Sequence, residues 1–193
     1  SQLPNSRWYS GSGIYRPVHL LIGNSAHIRW QGVKITTLSY EPARILVETH
    51  AVGGSVKVEI LDQGRVVAEG TGNGVELELP EAVLWSDETP YLYQCRVTLC
   101  EDGIVQDQVT ETFGIRKIEW SNQGLFINGK ETLLRGGCVH HDNGILGAAC
   151  YEKSEERRVR IMKEAGFNAI RSSHNPASEA CLLYTSPSPR DCS

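Results

Sequence analysis

Four short apolar runs that alternate with polar residues constrain the fold of this chain more than anything else in it. Ile45 and Val47, then Val56, Val58 and Ile60, then Val75, Leu77 and Leu79, then Cys95, Val97 and Leu99 each recur at period two. A helix turns every 3.6 residues and would scatter such residues around its axis; a strand collects them on one face. Turn signals fall between the runs at Asp62-Gln63-Gly64, Thr71-Gly72-Asn73-Gly74 and Glu101-Asp102-Gly103. Strands recurring at this spacing from about Asn24 to Arg116 predict an immunoglobulin-like β-sandwich without its usual disulfide.

After Phe113 the pattern changes. FGIRKIEW and then LFINGKETLL read as a strand leaving the sandwich and a hairpin turned at Asn128-Gly129. Two further apolar runs, Leu133 to Val139 and Phe167 to Ile170, flank the helix-like segment SEERRVRIMKEAG, which is the pattern of a βαβ unit. Ser154 is the expected N-cap, Glu155 and Glu156 suit the first turn, and Gly166 suits a left-handed C-cap. Val159, Met162 and Ala165 form the expected apolar edge, with Arg157, Arg158 and Arg160 in solvent. In parallel α/β folds ligands sit beyond the carboxyl ends of the strands. Those ends carry His140, His141, Asp142 and Asn143 on one strand and Arg171, His174 and Asn175 on the other. Both clusters are expected to face one pocket.

Composition excludes several alternatives. A net charge of -4, with no run of Lys or Arg, argues against a nucleic-acid surface. No apolar run is long enough to span a bilayer. The six cysteines form no C-x-x-C pair and stand at no zinc-finger spacing, so all are expected to be free thiols, with Cys95 and Cys138 in the core. Cys95 and Cys100 have odd separation on one strand and should point to opposite faces. His140 and Asp142 lack a third ligand at suitable spacing, so no metal is expected.

The stretch NAIRSSHNP resembles the barrel signature of glycoside hydrolase family 2, in which Asn-x-apolar-Arg, two small residues and His-Tyr-Pro are typical. Asn175 stands here where many members have Tyr. RGGCVHHDNGILGAA resembles the first barrel strand and loop of the same enzymes, LWSDETPYLY their central sandwich, and RWYSGSGIYR the tail of their sugar-binding jelly-roll domain. The resemblance implies a mixed β and α/β chain: residues 1–23 end a jelly roll, 24–118 form the immunoglobulin-like sandwich, and 119–180 begin a (β/α)8 TIM barrel. The sandwich is then a spacer. Trp8, Tyr9 and Tyr15 read as packing residues, the usual fate of such aromatics, with sugar stacking the alternative. Residues 181–193 depart from the family. CLLYTSPSPRD matches the translation of a transposase adapter used in DNA library preparation and reads as an artefact; a Ser/Pro-rich disordered tail is the alternative.

The function implied by the resemblance is a retaining β-glycosidase, with β-galactosidase favoured by the HHDNG loop, acting on terminal β-galactose of oligosaccharides without a cofactor. The two catalytic glutamates of that family lie on later barrel strands, so no residue here is expected to be catalytic and the chain alone should be inactive. Substrate binding is expected from His140, Asp142, Arg171, His174 and Asn175. Imidazole and carboxylate offer paired donors and acceptors to vicinal hydroxyls, and Arg171 can hold a carboxylate ionised. His141 and Asn143 read equally well as ordinary loop residues. The competing class is a non-catalytic carbohydrate-binding or cell-surface sandwich module, against which Trp30, Trp85 and Tyr91 are scattered too widely for a stacking platform. Two strands of an eight-strand barrel also leave open edges, so residues after about Ile118 are expected to be poorly ordered in isolation.

Overall fold

The computed structural model describes residues 13–14, 18–140, 143–149, 151–173 and 177. Leu21–Leu133 forms one compact unit, and the described residues from Leu134 onward belong to a second. The RWYSGSGIYR stretch lies almost wholly outside the described residues, as does everything after Ala177; Val18 to Ile22 are exposed and take no regular structure.

Seven strands build the sandwich of the first unit: β1 (His27–Tyr40), β2 (Ala43–Val52), β3 (Ser55–Asp62), β4 (Arg65–Thr71), β5 (Gly74–Leu79), β6 (Tyr93–Glu101) and β7 (Ile104–Phe113). One sheet has the order β1-β2-β5 and the other β4-β3-β6-β7, with every neighbour antiparallel. Every residue of the four alternating runs is buried, and those runs lie on β2, β3, β5 and β6, the strands that line the core. Tyr93 opens β6 two positions before Cys95, and its hydroxyl accepts the Val83 N–H at 2.8 Å. That corner is a recurring feature of immunoglobulin-like sandwiches, and here it stands without a disulfide beside it.

Alternation did not mark β1, β4 or β7, for two different reasons. β1 carries a bulge between Ile28 and Val33, with Gln31 at φ 53°, so its inward positions fall out of phase. Gly32 is required there: a Cβ would stand 2.6 Å from the carbonyl oxygens of Arg29 and His50. β4 and β7 are edge strands of the four-stranded sheet, largely exposed, so they lack a clean apolar face.

β8 (Ile118–Ser121), β9 (Gly124–Ile127) and β10 (Lys130–Glu131) form a small sheet in the order β10-β9-β8. Asn128 and Gly129 turn β9 into β10 with φ of 50° and 73°, the paired left-handed geometry that Asn-Gly favours. Asn128 does more than turn the chain. Its side-chain oxygen accepts the Lys117 N–H at 2.9 Å and its Nδ2 donates to the Trp85 carbonyl at 3.0 Å. Trp85 in turn lies under the Arg116 guanidinium, 4.2 Å from its ring centroid, and a Cβ on Gly114 would meet its Cβ at 2.8 Å. The segment LWSDETPYLY is therefore a structural clamp within this unit.

The second unit contains β11 (Gly136–Val139), a single 3-10 turn (Gly144–Leu146), α1 (Glu152–Glu164) and β12 (Ala169–Ser172). β11 and β12 pair in parallel from Gly136↔Ala169 to Val139↔Ser172, the expected βαβ unit. The strands approach closely, since a Cβ on Gly136 would lie 2.5 Å from the Ala169 carbonyl oxygen.

The helix start differs from expectation. Tyr151 occupies the N-cap and makes no side-chain cap bond, while Ser154 sits inside the first turn and donates instead to Asn143 Oδ1 at 2.8 Å. The helix end is as expected: Gly166, at φ 86°, donates to Lys163 O, and Phe167 donates to Met162 O, a Schellman closure. Val159 and Met162 are half-buried, but Ala165 is exposed and leaves the apolar edge shorter than predicted. Arg157 and Arg160 are exposed as anticipated. Arg158 is not: it is drawn inward by the buried Glu155 carboxylate, 3.1 Å from its Nη1.

Candidate functional site

The parallel register brings the carboxyl ends of β11 and β12 to one edge. Val139 pairs with Ser172, the Ser173 N–H reaches across to Val139 O at 3.1 Å, and the chain leaves β11 at His140. Arg171 stands opposite Cys138, one pair back from that edge. Of the five expected sugar-binding residues, His140 and Arg171 are described; both are exposed, His140 immediately after β11 and Arg171 on the adjacent β12. Asp142, His174 and Asn175 lie outside the described residues, as does His141. Among the described residues no group of three His, Cys, Asp or Glu side chains could hold a metal ion.

The opposite end of the strand pair explains part of the NAIR motif. Asn168 Oδ1 accepts the Arg135 N–H at 2.7 Å, and the Asn168 N–H donates to Arg135 O at 2.9 Å. That reciprocal pair sets the parallel register one residue before it begins. Asn168 thus acts at the end of the strands away from His140, where a side-chain amide can mimic a missing ladder bond.

Cys138 corrects a sequence expectation. Its thiol is exposed rather than buried, because Cys138 shares the open face of β11 and β12 with Arg171. Arg171 Nη1 donates to Cys138 Sγ at 3.5 Å, and this bond, followed by one from Ser173, pulls the thiol below its ordinary value. Cys95 behaves oppositely, pushed up to about 12 by burial and then by Glu111. Cys100 is half-buried where Cys95 is fully buried, the difference in facing that their spacing predicted. Cys150, Cys181 and Cys192 lie outside the described residues. Iodoacetamide at mildly alkaline pH is expected to label Cys138 before Cys95 or Cys100, and Arg171→Ala should slow that labelling by returning the thiol toward 9.0. Peptide mass spectrometry over a pH series reads this directly; equal Cys138 rates in both proteins would contradict it.

Asn143 is the residue that sequence reasoning undervalued. Its Nδ2 donates to Ala149 O at 2.7 Å and lies 3.4 Å from Glu155 Oε1, while its Oδ1 accepts from Ser154 Oγ and Arg158 Nη2. Its backbone N–H donates to Gly147 O, and its carbonyl accepts from the Leu146 N–H. The signal available in the sequence was a Glu-x-x-Arg pair at helical spacing, which is ordinarily a surface pair.

Two family models match the chain: glycosyl hydrolases family 2 over residues 24–116, and the TIM barrel domain of glycosyl hydrolases family 2 over residues 118–185. The chain belongs to glycosyl hydrolase family 2. The β-galactosidase BoGH2A of Bacteroides ovatus is 35% identical over 94% of this family 2 chain and 24% of its own length. A putative β-glucuronidase of Formosa agariphila is 34% identical over 89% of this chain and 18% of its own. Among solved structures, a family 2 member from Bacteroides cellulosilyticus superposes with a TM-score of 0.84 at 39% identity, covering 92% of this chain and 26% of that one. The chain spans about a quarter of the length of such relatives. It includes the sandwich and the start of the barrel domain, and the described residues contain no closed barrel.

Proposed function

We propose that this chain is the sandwich and barrel-entry portion of a retaining β-galactosidase, with the shared edge of β11 and β12 binding the terminal sugar. The observation that carries the reading is the parallel register, which places His140, the residue that follows β11, and Arg171 of β12 near one carboxyl-terminal edge. In this reading His140 and Asp142 hydrogen-bond vicinal hydroxyls, His174 and Asn175 contact the same sugar, and Arg171 keeps the nucleophilic carboxylate ionised. The nucleophile and the acid/base are two carboxyl groups about 5 to 5.5 Å apart, supplied by barrel strands that this chain does not contain. Glu155 and Glu156 of α1 do not substitute for them: Glu155 is locked in an ion pair, and Glu156 is paired with Lys153.

Galactose is favoured by the HHDNG loop and by the likeness to a β-galactosidase over 94% of the chain. A glucuronide is the second reading, favoured by the likeness to the Formosa protein and to a β-glucuronidase of Ruminococcus gnavus solved with D-glucuronic acid, at a TM-score of 0.79 and 25% identity over 84% of this chain and 29% of that one. A sandwich that merely binds carbohydrate has less support. Tyr91 is tied to Asp62 at 2.6 Å and Trp85 is packed beneath Arg116, so neither is available for stacking with Trp30.

The test uses chromogenic β-galactoside and β-glucuronide with the full-length gene product. Hydrolysis of the galactoside with retained anomeric configuration, and no hydrolysis by the 193-residue chain alone, is the expected result. Cleavage of the glucuronide alone would change the sugar; binding of galactan without cleavage of either would remove the enzyme reading.

A further inference from the structure

Glu155 is the one charged side chain among the described residues that is fully withdrawn from solvent. A glutamate in the first turn of a helix is already favoured by the helix dipole while it stays in water. Burial adds a large desolvation cost that only close pairing offsets. Its partners explain the placement. Arg158 Nη1 lies 3.1 Å from Oε1 and 3.3 Å from Oε2, and the same guanidinium reaches Asn143 Oδ1 through Nη2.

The Asn143 amide has two donors and two acceptor lone pairs, and this cluster engages all four, through Ala149 O, Glu155, Ser154 and Arg158. With its main chain also closing the turn to Leu146 and Gly147, the residue fixes the segment from 143 to 149 against the start of α1. Asn143 directly follows Asp142 and lies within the loop opened by His140. We propose that Glu155, Arg158 and Ser154 are positioning residues for that loop, gripping it through Asn143 so that α1 sets where the loop that follows His140 meets the sugar. The part about sugar rests on the function proposed above. The grip itself rests on the hydrogen bonds alone.

Asn143→Ala is the primary variant, since it leaves the Glu155–Arg158 ion pair in place; Ser154→Ala is a milder second. Hydrogen exchange in the full-length gene product is expected to accelerate about tenfold at the amides of Leu146, Gly147 and Ala149 in Asn143→Ala, with β11 and β12 amides unchanged. In the full-length gene product the same variant is expected to raise KM for the galactoside about tenfold with kcat nearly unchanged, because ground-state and transition-state contacts are lost together. Unchanged loop exchange, or equal acceleration in β11 and β12, overturns the proposal, the latter by showing a role in holding the unit together. Faster loop exchange with KM unmoved also overturns it, since the loop would then not govern recognition. A wild-type product that cleaves neither galactoside nor glucuronide refutes the enzyme function, and with it the sugar role of the grip, whereas a failure confined to the variants refutes the grip alone.

Discussion

Replacing Ile60 with alanine is expected to cost the sandwich about 2–5 kcal/mol, the range for removing a fully buried branched side chain whose cavity cannot collapse. Ile60 is wholly buried on β3, opposite Ala68 on β4, just before an irregularity in that pairing, and opposite Cys95 on β6, where the ladder runs unbroken and holds its neighbours in register. For a unit of this size each 1 kcal/mol lowers Tm by roughly 4–8 °C, so the shift should be about 10 °C or more. Cys95 gives an independent local readout. Its thiol is buried beside the site of the cavity, and labelling of Cys95 under native conditions should become measurable in the variant while Cys138 labelling does not change. The same thiol makes stability depend on pH. Burial raises the folded value from 9.0 to about 12, so the contribution of neutral Cys95 is intact below 9.0 and is lost as pH rises through that window. Thermal melts between neutrality and strongly alkaline pH, compared with Cys95→Ala, would check the sign.

The sandwich was legible because its central strands face a core on one side and water on the other, and that asymmetry writes period two into the sequence. β2, β3, β5 and β6 were found this way. β1 was hidden by its own bulge at Gln31 and Gly32, which shifts phase mid-strand, and β4 and β7 by lying at sheet edges where little is buried. Turns were the most readable parts, since Asp102-Gly103 and Asn128-Gly129 adopt the positive φ that Asp, Asn and Gly tolerate, and Gly64 carries the same preference in the Gln63-Gly64 turn.

The strand edge that carries His140 and Arg171 was legible in the sequence, while the contacts that support the loop beside it were not. Polar residues breaking an apolar strand run mark a carboxyl-terminal edge, and His140 does follow β11 directly while Arg171 lies on the neighbouring β12. Nothing local distinguishes Arg158, drawn into a buried ion pair, from Arg157 and Arg160 in water, because the difference lies in where Asn143 meets the helix across a loop. Cys138 was misjudged for a related reason. In a parallel strand both faces are usually covered, so an apolar-looking residue reads as core, yet its partner in register is the exposed Arg171.

Arg171 is where the largest functional effect is expected. If its guanidinium stabilises the charge of a carboxylate nucleophile, Arg171→Ala in the full-length gene product should lower kcat by about 10²–10³, comparable to losing one preorganised donor at a reacting centre. Arg171→Lys keeps the charge but loses the planar fork, so it should fall between wild type and alanine. The pH profile separates this role from a structural one. An arginine beside a carboxylate favours its ionised form, so removing it raises the carboxylate value and moves the acid limb of kcat/KM to higher pH. Simple misfolding would lower the whole profile without moving that limb. Cys138 provides the control, because it shares the guanidinium at 3.5 Å but has no sugar-binding role assigned. Cys138→Ser should therefore leave the acid limb where it is. A kcat within about twofold of wild type in Arg171→Ala, well inside 1 kcal/mol, would return Arg171 to the status of a solvated strand residue.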